Sequence, residues 1–323
     1  MKKRLISIVS IFVLMLSLVA CGKEEVSGDI KIASLKGPTS MGLAKLYDDA
    51  DNGKLKNNYD YSIVNSPDEI VAGLSKGDFD VAAVPANLGA VLYNKSEGKL
   101  LKVANINTLG VLYLASGDES IKDISDLKGK EIVLSGKGAT PEYVLRYLLK
   151  ENNIDPDNDV NLVFKSEHTE VLQSLVKNGD AVVMLPEPFL SIAKKQTEIK
   201  NIISLNDLWN ESFSEDLITG VIVVRNEFLK DENNKLAFDM FLKDYENSVE
   251  FVNNNIEESA KLIGKYDIVK EEIAKDAIEN SNIVFIDGKD MKDKLKSYYE
   301  ILFNEDAKSI GGQIPDDEIY YEK

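Results

Sequence analysis

A single cysteine, a single histidine and a single tryptophan stand among 323 residues. One cysteine excludes an intramolecular disulfide. One Cys and one His also fall short of the three or four ligands that a zinc site usually draws from those types, and they leave little room for triad chemistry. Positive charge is scarce. Lys and Arg number 38 against 55 Asp and Glu, a formal net charge of −17. That balance argues against binding a nucleic-acid backbone, which needs a basic face. With 20 Gly, 8 Pro, 44% hydrophobic and 29% charged residues, the composition is that of a globular protein rather than a collagen, a coiled coil or a disordered chain. At roughly 150 residues per domain, the length predicts about two domains with real cores.

The one long apolar run is N-terminal. Lys2, Lys3 and Arg4 precede Leu5–Ala20, interrupted only by Ser7, Ser10 and Ser17. Sixteen residues are short for a membrane span, which needs about 20, and fit a secretory h-region. The run ends in Leu18-Val19-Ala20-Cys21, which resembles the lipobox of bacterial lipoproteins. That resemblance implies that residues 1–20 are a signal peptide removed before Cys21, whose thiol carries the lipid. Residues 21–28 then read as a polar tether. Two acyl chains, at about 0.8 kcal/mol per buried CH₂, make a stable anchor. The expectation is a lipid-anchored body on the extracytoplasmic face of the cell membrane, with palmitate-type acylation at Cys21.

From Asp29 onward, strand-like and helix-like segments alternate. Ile30, Ile32 and Ser34 follow a strand's period, and Gly37-Pro38-Thr39-Ser40 breaks it. Tyr59–Val64 reads as a second strand. Ser66-Pro67-Asp68-Glu69 is a capping box with Pro at the first helical position. Phe79–Val84 is a third strand, ending at Pro85. This βαβαβ order predicts an α/β fold with a largely parallel sheet. The same order returns at an offset of 101: Ser34-Leu35-Lys36-Gly37-Pro38-Thr39 matches Ser135-Gly136-Lys137-Gly138-Ala139-Thr140, and in the same register Glu69, Leu74, Val81 and Pro85 face Glu170, Leu175, Val182 and Pro186. Two similar lobes follow. The apolar runs Val103–Ala115 and Ile218–Val224 read as two crossings, hence a two-stranded hinge. Lobe 1 is expected over 29–112 and 221–323, and lobe 2 over 113–220. The C-terminal part reads as mostly helical and packed on lobe 1. There Phe238, Phe241, Leu242, Tyr245, Val249 and Val252 form one amphipathic face.

In open α/β sheets, ligands bind beyond the carboxyl ends of the strands. Four such loops offer candidate ligand-binding residues: Pro38, Thr39, Ser40 and Met41; Ala86 and Asn87; Gly138, Ala139 and Thr140; and Glu187 between Pro186 and Pro188. The Thr and Ser residues suit helix N-caps, near free N–H groups and the positive end of a helix dipole; simple capping is their alternative reading. Asn87 equally suits a cap on its own helix, and Lys36 and Lys137 suit solvent. Glu187 would accept hydrogen bonds from an amino or ring N–H, or stand as a surface acid on a rigid turn. Tyr113, Tyr143, Phe189 and Trp209 are candidate stacking partners, with core packing as the alternative. Gly136-Lys137-Gly138 is not a dinucleotide fingerprint, because Pro141 stands where the third Gly belongs, and there is no P-loop. His168 reads as an exposed residue at a helix start. No catalytic residue, metal or cofactor is expected.

Four features together resemble the nitrate, sulfonate, taurine and thiamine-precursor group of ABC-importer substrate-binding proteins. They are the lipobox, the stretch Ile121–Lys130 before a strand, the Pro186-Glu187-Pro188 turn, and the ending Ser309–Asp316. The resemblance covers roughly residues 29–321. It implies a two-lobed type II periplasmic-binding-protein fold that closes on a small ligand and delivers it to an ABC permease, as a monomer. It places ligand contacts on the loops Pro38–Met41, Pro85–Asn87, Gly138–Pro141 and at Glu187. The competing readings are an enzyme of thiamine-pyrimidine synthesis, whose related branch uses a His and a Cys-rich segment absent here, and a ligand sensor. With Glu187 present and no Arg on these loops, a neutral or amino-bearing solute such as an aminopyrimidine thiamine precursor is expected, with sulfonate, taurine or nitrate as the alternative.

Overall fold

The computed structural model describes residues 27–138 and 140–323. The expected signal peptide, Cys21, most of the tether and Ala139 lie outside the described residues.

Two sheets organise the chain. The larger has six strands in the order β11-β4-β10-β3-β1-β2. Its members are β1 (Asp29–Leu35), β2 (Asn58–Val64), β3 (Val81–Pro85), β4 (Leu101–Leu109), β10 (Ile218–Arg225) and β11 (Ile283–Ile286). The smaller has five, in the order β7-β6-β8-β5-β9: β5 (Leu112–Ser116), β6 (Glu131–Ser135), β7 (Asn161–Lys165), β8 (Val182–Pro186) and β9 (Asn201–Ser204). Each sheet contains a parallel trio, β2-β1-β3 or β7-β6-β8. Each trio is extended by a strand that runs against it, β10 or β5. The reason is the connection. The chain leaves β4 through Gly110 and Val111 directly into β5 of the other sheet, and returns from α8 (Leu205–Phe213) into β10.

The 101-residue register is visible in the elements. Helix α3 (Pro67–Lys76) and α6 (His168–Lys177) start and end at that offset, as do β3 and β8. Local chemistry explains α3. Ser66 is extended and accepts from the Asp68 amide, Pro67 opens the first turn, and Gly77 ends it at φ 83°. Between β1 and β2 lie α1 (Pro38–Met41) and α2 (Ala44–Asp51), and after β3 comes α4 (Ala86–Lys95). In the second half, α5 (Thr140–Glu151) follows β6 and α7 (Phe189–Gln196) follows β8.

Helix α9 (Glu232–Asn254) lays Phe238, Phe241, Leu242, Tyr245, Val249 and Val252 into the core beside β1, as its periodicity predicts. Helices α10 (Ile256–Lys265), α11 (Glu271–Asn280) and α12 (Gly288–Glu305) complete the chain. Two short strands escape the sequence pattern. Both β9 and β11 are four residues long, and an apolar run of that length does not distinguish strand from helix. Helix α12 also touches α5, and α11 touches α7, so the C-terminal helices reach both sheets. Among the described residues, no helix is long and apolar enough to cross a membrane.

Candidate functional site

One cavity of about 310 Å³ collects the carboxyl-end loops of both sheets. Its rim takes Gly37, Pro38 and Thr39 from the end of β1, Pro85 and Asn87 from β3, Thr140 and Pro141 after β6, His168 after β7, and Pro186, Glu187 and Pro188 after β8. Leu35, Val111, Leu112, Phe189 and Leu217 supply apolar wall, and Thr219 of β10 adds a hydroxyl. The cavity thus lies at the two crossings.

Each loop leads into a helix, and prolines shape the starts. Pro38 opens α1, and Pro85 and Pro188 are the residues preceding α4 and α7. A proline has no side-chain acceptor, so α4 and α7 begin without a capping side chain at that position. First-turn N–H groups have no partner within their own helix. At α7 one of them is satisfied by Glu187, whose carboxylate accepts from the Ser191 amide and from the Ser191 hydroxyl, each at 3.1 Å. At the β1 loop, Gly37 takes φ 126°, a conformation that a side chain would strain, and this turns the chain into α1.

Glu187 is 1% exposed. Burial holds its carboxyl above the usual carboxylate range, against the opposing pull of the two Ser191 hydrogen bonds. The Glu187–Pro188 peptide is cis. Tyr113, whose phenol burial pushes up to about 12, gives its hydroxyl to the Asn280 carbonyl at 2.9 Å. Lys36 lines the cavity, but its Nζ is 2.5 Å from Asp267. Among the described residues, no arginine lines the cavity. Among the described residues, no group of three or more His, Cys, Asp or Glu is placed to hold a metal ion.

Of the ten predicted ligand-loop residues, Pro38, Thr39, Asn87, Thr140 and Glu187 line this cavity. Ser40, Met41, Ala86 and Gly138 do not. Ser40 turns its hydroxyl onto the Leu35 carbonyl. Met41 is fully buried in the core under α9, because the helical turn that presents Thr39 outward carries its neighbours inward. Ala86 is 1% exposed and packs in the core, where the Tyr299 hydroxyl donates to its carbonyl at 3.2 Å. Gly138 is exposed and donates its amide to Glu142 at 2.7 Å. Asn87 does not cap its own helix. Its amide donates to the Ser309 carbonyl, tying the β3 loop to the C-terminal segment.

Among the aromatic candidates only Phe189 reaches the cavity. Trp209 is fully buried among Tyr147, Phe213 and Tyr298. His168 corrects the expectation of an exposed residue. It is half-buried and lines the cavity, with its ring centroid 5.2 Å from that of Phe189. Its place at the head of a helix after a strand, at the same loop level as the other four, was the signal that could have identified it.

Comparison with known proteins fits this arrangement. Residues 52–242 match the family model described as ABC transporter, phosphonate, periplasmic substrate-binding protein. A protein of Bacillus subtilis (strain 168) named as a binding protein, YtlA, is 28% identical over 194 residues, covering 58% of this chain; the match spans 57% of that relative's length. An ABC transporter structure from Parabacteroides distasonis is 24% identical and covers 91% of this chain and 99% of its own, with a TM-score of 0.75. The periplasmic aliphatic sulphonate binding protein SsuA from Escherichia coli, at 14% identity, covers 90% of this chain and 94% of its own with a TM-score of 0.68. These likenesses establish an α/β periplasmic-binding-protein fold of two sheets flanked by helices. With more than half of its length under the family model, the chain belongs to the phosphonate-type periplasmic substrate-binding proteins of ABC transporters.

Proposed function

We propose that this chain captures a flat, amino-bearing N-heterocycle, such as an aminopyrimidine, between two lobes and delivers it to an ABC permease. The observation that carries the ligand class is Glu187. A buried acid borders a mostly apolar cavity that, among the described residues, has no arginine and one lysine, already paired to Asp267. An ionised phosphonate or sulfonate placed there would meet a carboxylate without a free cation to offset it. An amino or ring N–H gives that carboxylate a donor in addition to Ser191, and Phe189 gives a ring a face to rest on. The lobes of this reading are 29–112 with 221–323, and 113–220. The two crossings serve as the hinge, and ligand shifts the open–closed balance by its differential affinity for the two states. Cys21 anchors a monomeric body at the membrane, and no chemistry is performed on the ligand.

A second reading, an organic sulfonate or phosphonate, is favoured by the helix starts without side-chain caps around the cavity. A thermal-shift and calorimetry panel separates the two. It contains 4-amino-2-methylpyrimidine derivatives, taurine, methylphosphonate and nitrate. Saturation at 100 times Kd adds about 2.7 kcal/mol of stability. Protection by the aminopyrimidines alone is the expected result. Protection by taurine, methylphosphonate or nitrate, with none from any aminopyrimidine, overturns the first reading.

A further inference from the structure

His168 is the chain's one imidazole and is unused by the family-level reading. Its Nδ1 is 2.6 Å from the hydroxyl of Ser135, at the end of β6. Ser135 is 3% exposed, and its hydroxyl has no other hydrogen-bond partner among the described residues. A buried hydroxyl proton requires an acceptor. If Nδ1 carried the ring proton, it would donate to the Ser135 oxygen and leave the hydroxyl proton without one. Hydrogen-bond accounting therefore makes Ser135 the donor, Nδ1 the acceptor and Nε2 the protonated nitrogen. Nε2 lies on the opposite edge of the ring, has no protein partner among the described residues, and belongs to a side chain that borders the cavity.

We infer that His168, fixed by Ser135, presents Nε2–H to the bound solute and selects ligands that carry a hydrogen-bond acceptor. Resting on the ligand class proposed above, the pairing is complementary. Nε2–H takes a ring nitrogen while Glu187 takes the adjacent amino group, so the two side chains read an acceptor–donor edge. Glu167 at its own helix start acts on the ring, and Glu187 from the β8 loop and Lys36 from the β1 loop share its cavity.

Nitrogen NMR on protein labelled at histidine gives one imidazole and no assignment problem. In the ligand-free protein, at a pH where the ring is neutral, Nδ1 is expected to be the unprotonated nitrogen. Ser135→Ala is expected to shift the tautomer ratio. A protonated Nδ1 in the wild type overturns the inference before any ligand is added. Addition of 4-amino-2-methylpyrimidine is then expected to move the Nε2 resonance. His168→Phe keeps an aromatic ring and loses the donor, which is expected to raise Kd about tenfold, the loss of one hydrogen bond. His168→Gln is expected to recover part of that loss.

The arms separate the two ideas. If methanesulfonate binds and moves Nε2 while the aminopyrimidine does not bind, the ligand class falls and the role of His168 stands. If the aminopyrimidine binds, Nε2 stays still and His168→Phe binds equally well, the role of His168 falls and the ligand class stands.

Discussion

Glu187 and His168 sit on one cavity, and burial drives their proton affinities in opposite directions. The carboxyl is raised and the imidazole lowered, because burial disfavours the charged form of each. For Glu187 the folded state holds its proton more tightly than the unfolded one. Its contribution to stability therefore falls as pH rises from the ordinary carboxylate value through the raised one. Glu187→Gln is expected to melt above the wild type at pH 7, with the difference shrinking as the pH drops below that window. A Tm difference that does not change with pH would contradict the assignment. For His168 the sign reverses: stability is lost as pH falls from the ordinary imidazole value through the lowered one. The groups that share the Glu187 environment are Ser191, Lys194, Asn280 and Tyr113. The sequence made Glu187 conspicuous because two prolines frame it. It could not reveal that Ser191 already occupies the carboxylate, since that bond depends on the turn's geometry. His168 was missed because a lone histidine at a helix start carries no spacing signal of its own.

At the scale of elements, the seating of α1 against β4 and β10 fixes where Thr39 stands. Asn107 of β4 donates its side-chain amide to the Thr39 carbonyl at 3.1 Å, and Asn107 is 1% exposed. Opposite it, Gly220 of β10 leaves no room: a Cβ there would lie 2.4 Å from the Asn107 Oδ1 and 2.7 Å from the Thr39 Cγ2. Gly220→Ala must displace both, or shift β10 away from them. Overpacking of this kind costs about 1–3 kcal/mol, and denaturant melts are expected to show that loss. Ligand affinity is expected to fall with it, because Thr39 borders the cavity. Unchanged affinity would show that the position of α1 does not matter to binding. The repeat at offset 101 made α3, α6, β3 and β8 legible, since Ser66-Pro67 and the apolar strands specify their own ends. The same register misleads after β8. Pro188 still precedes α7 where Asn87 is already inside α4, so a site residue cannot be transferred from one half to the other by number alone. Met41 and Ala86 lie outside the cavity for a related reason. A loop position does not reveal which way a short helical turn points its side chains.

For the whole molecule, contacts join the C-terminal segment to the helices of the smaller sheet. Lys150 of α5 pairs with Glu305 of α12 at 2.5 Å, and Lys195 of α7 pairs with Asp276 of α11 at 3.1 Å. Tyr143 adds a hydroxyl bond to Asp306. Exposed ion pairs contribute about 0–1 kcal/mol each and weaken with salt. Neutralising both lysines is therefore expected to favour separation of the two sheets and to loosen ligand binding by no more than several-fold. Small-angle scattering and calorimetry at two salt concentrations would test this, and a hundredfold loss would mean that the pairs do something other than bias closure. A further consequence follows from the order of the strands. All five strands of the smaller sheet come from one uninterrupted stretch, Leu112–Ser204, whereas the larger sheet waits for β10 and β11. As the polypeptide emerges amino end first, the later-numbered body can therefore acquire its full set of neighbours first, while the earlier-numbered one stays unfinished until the final third has followed.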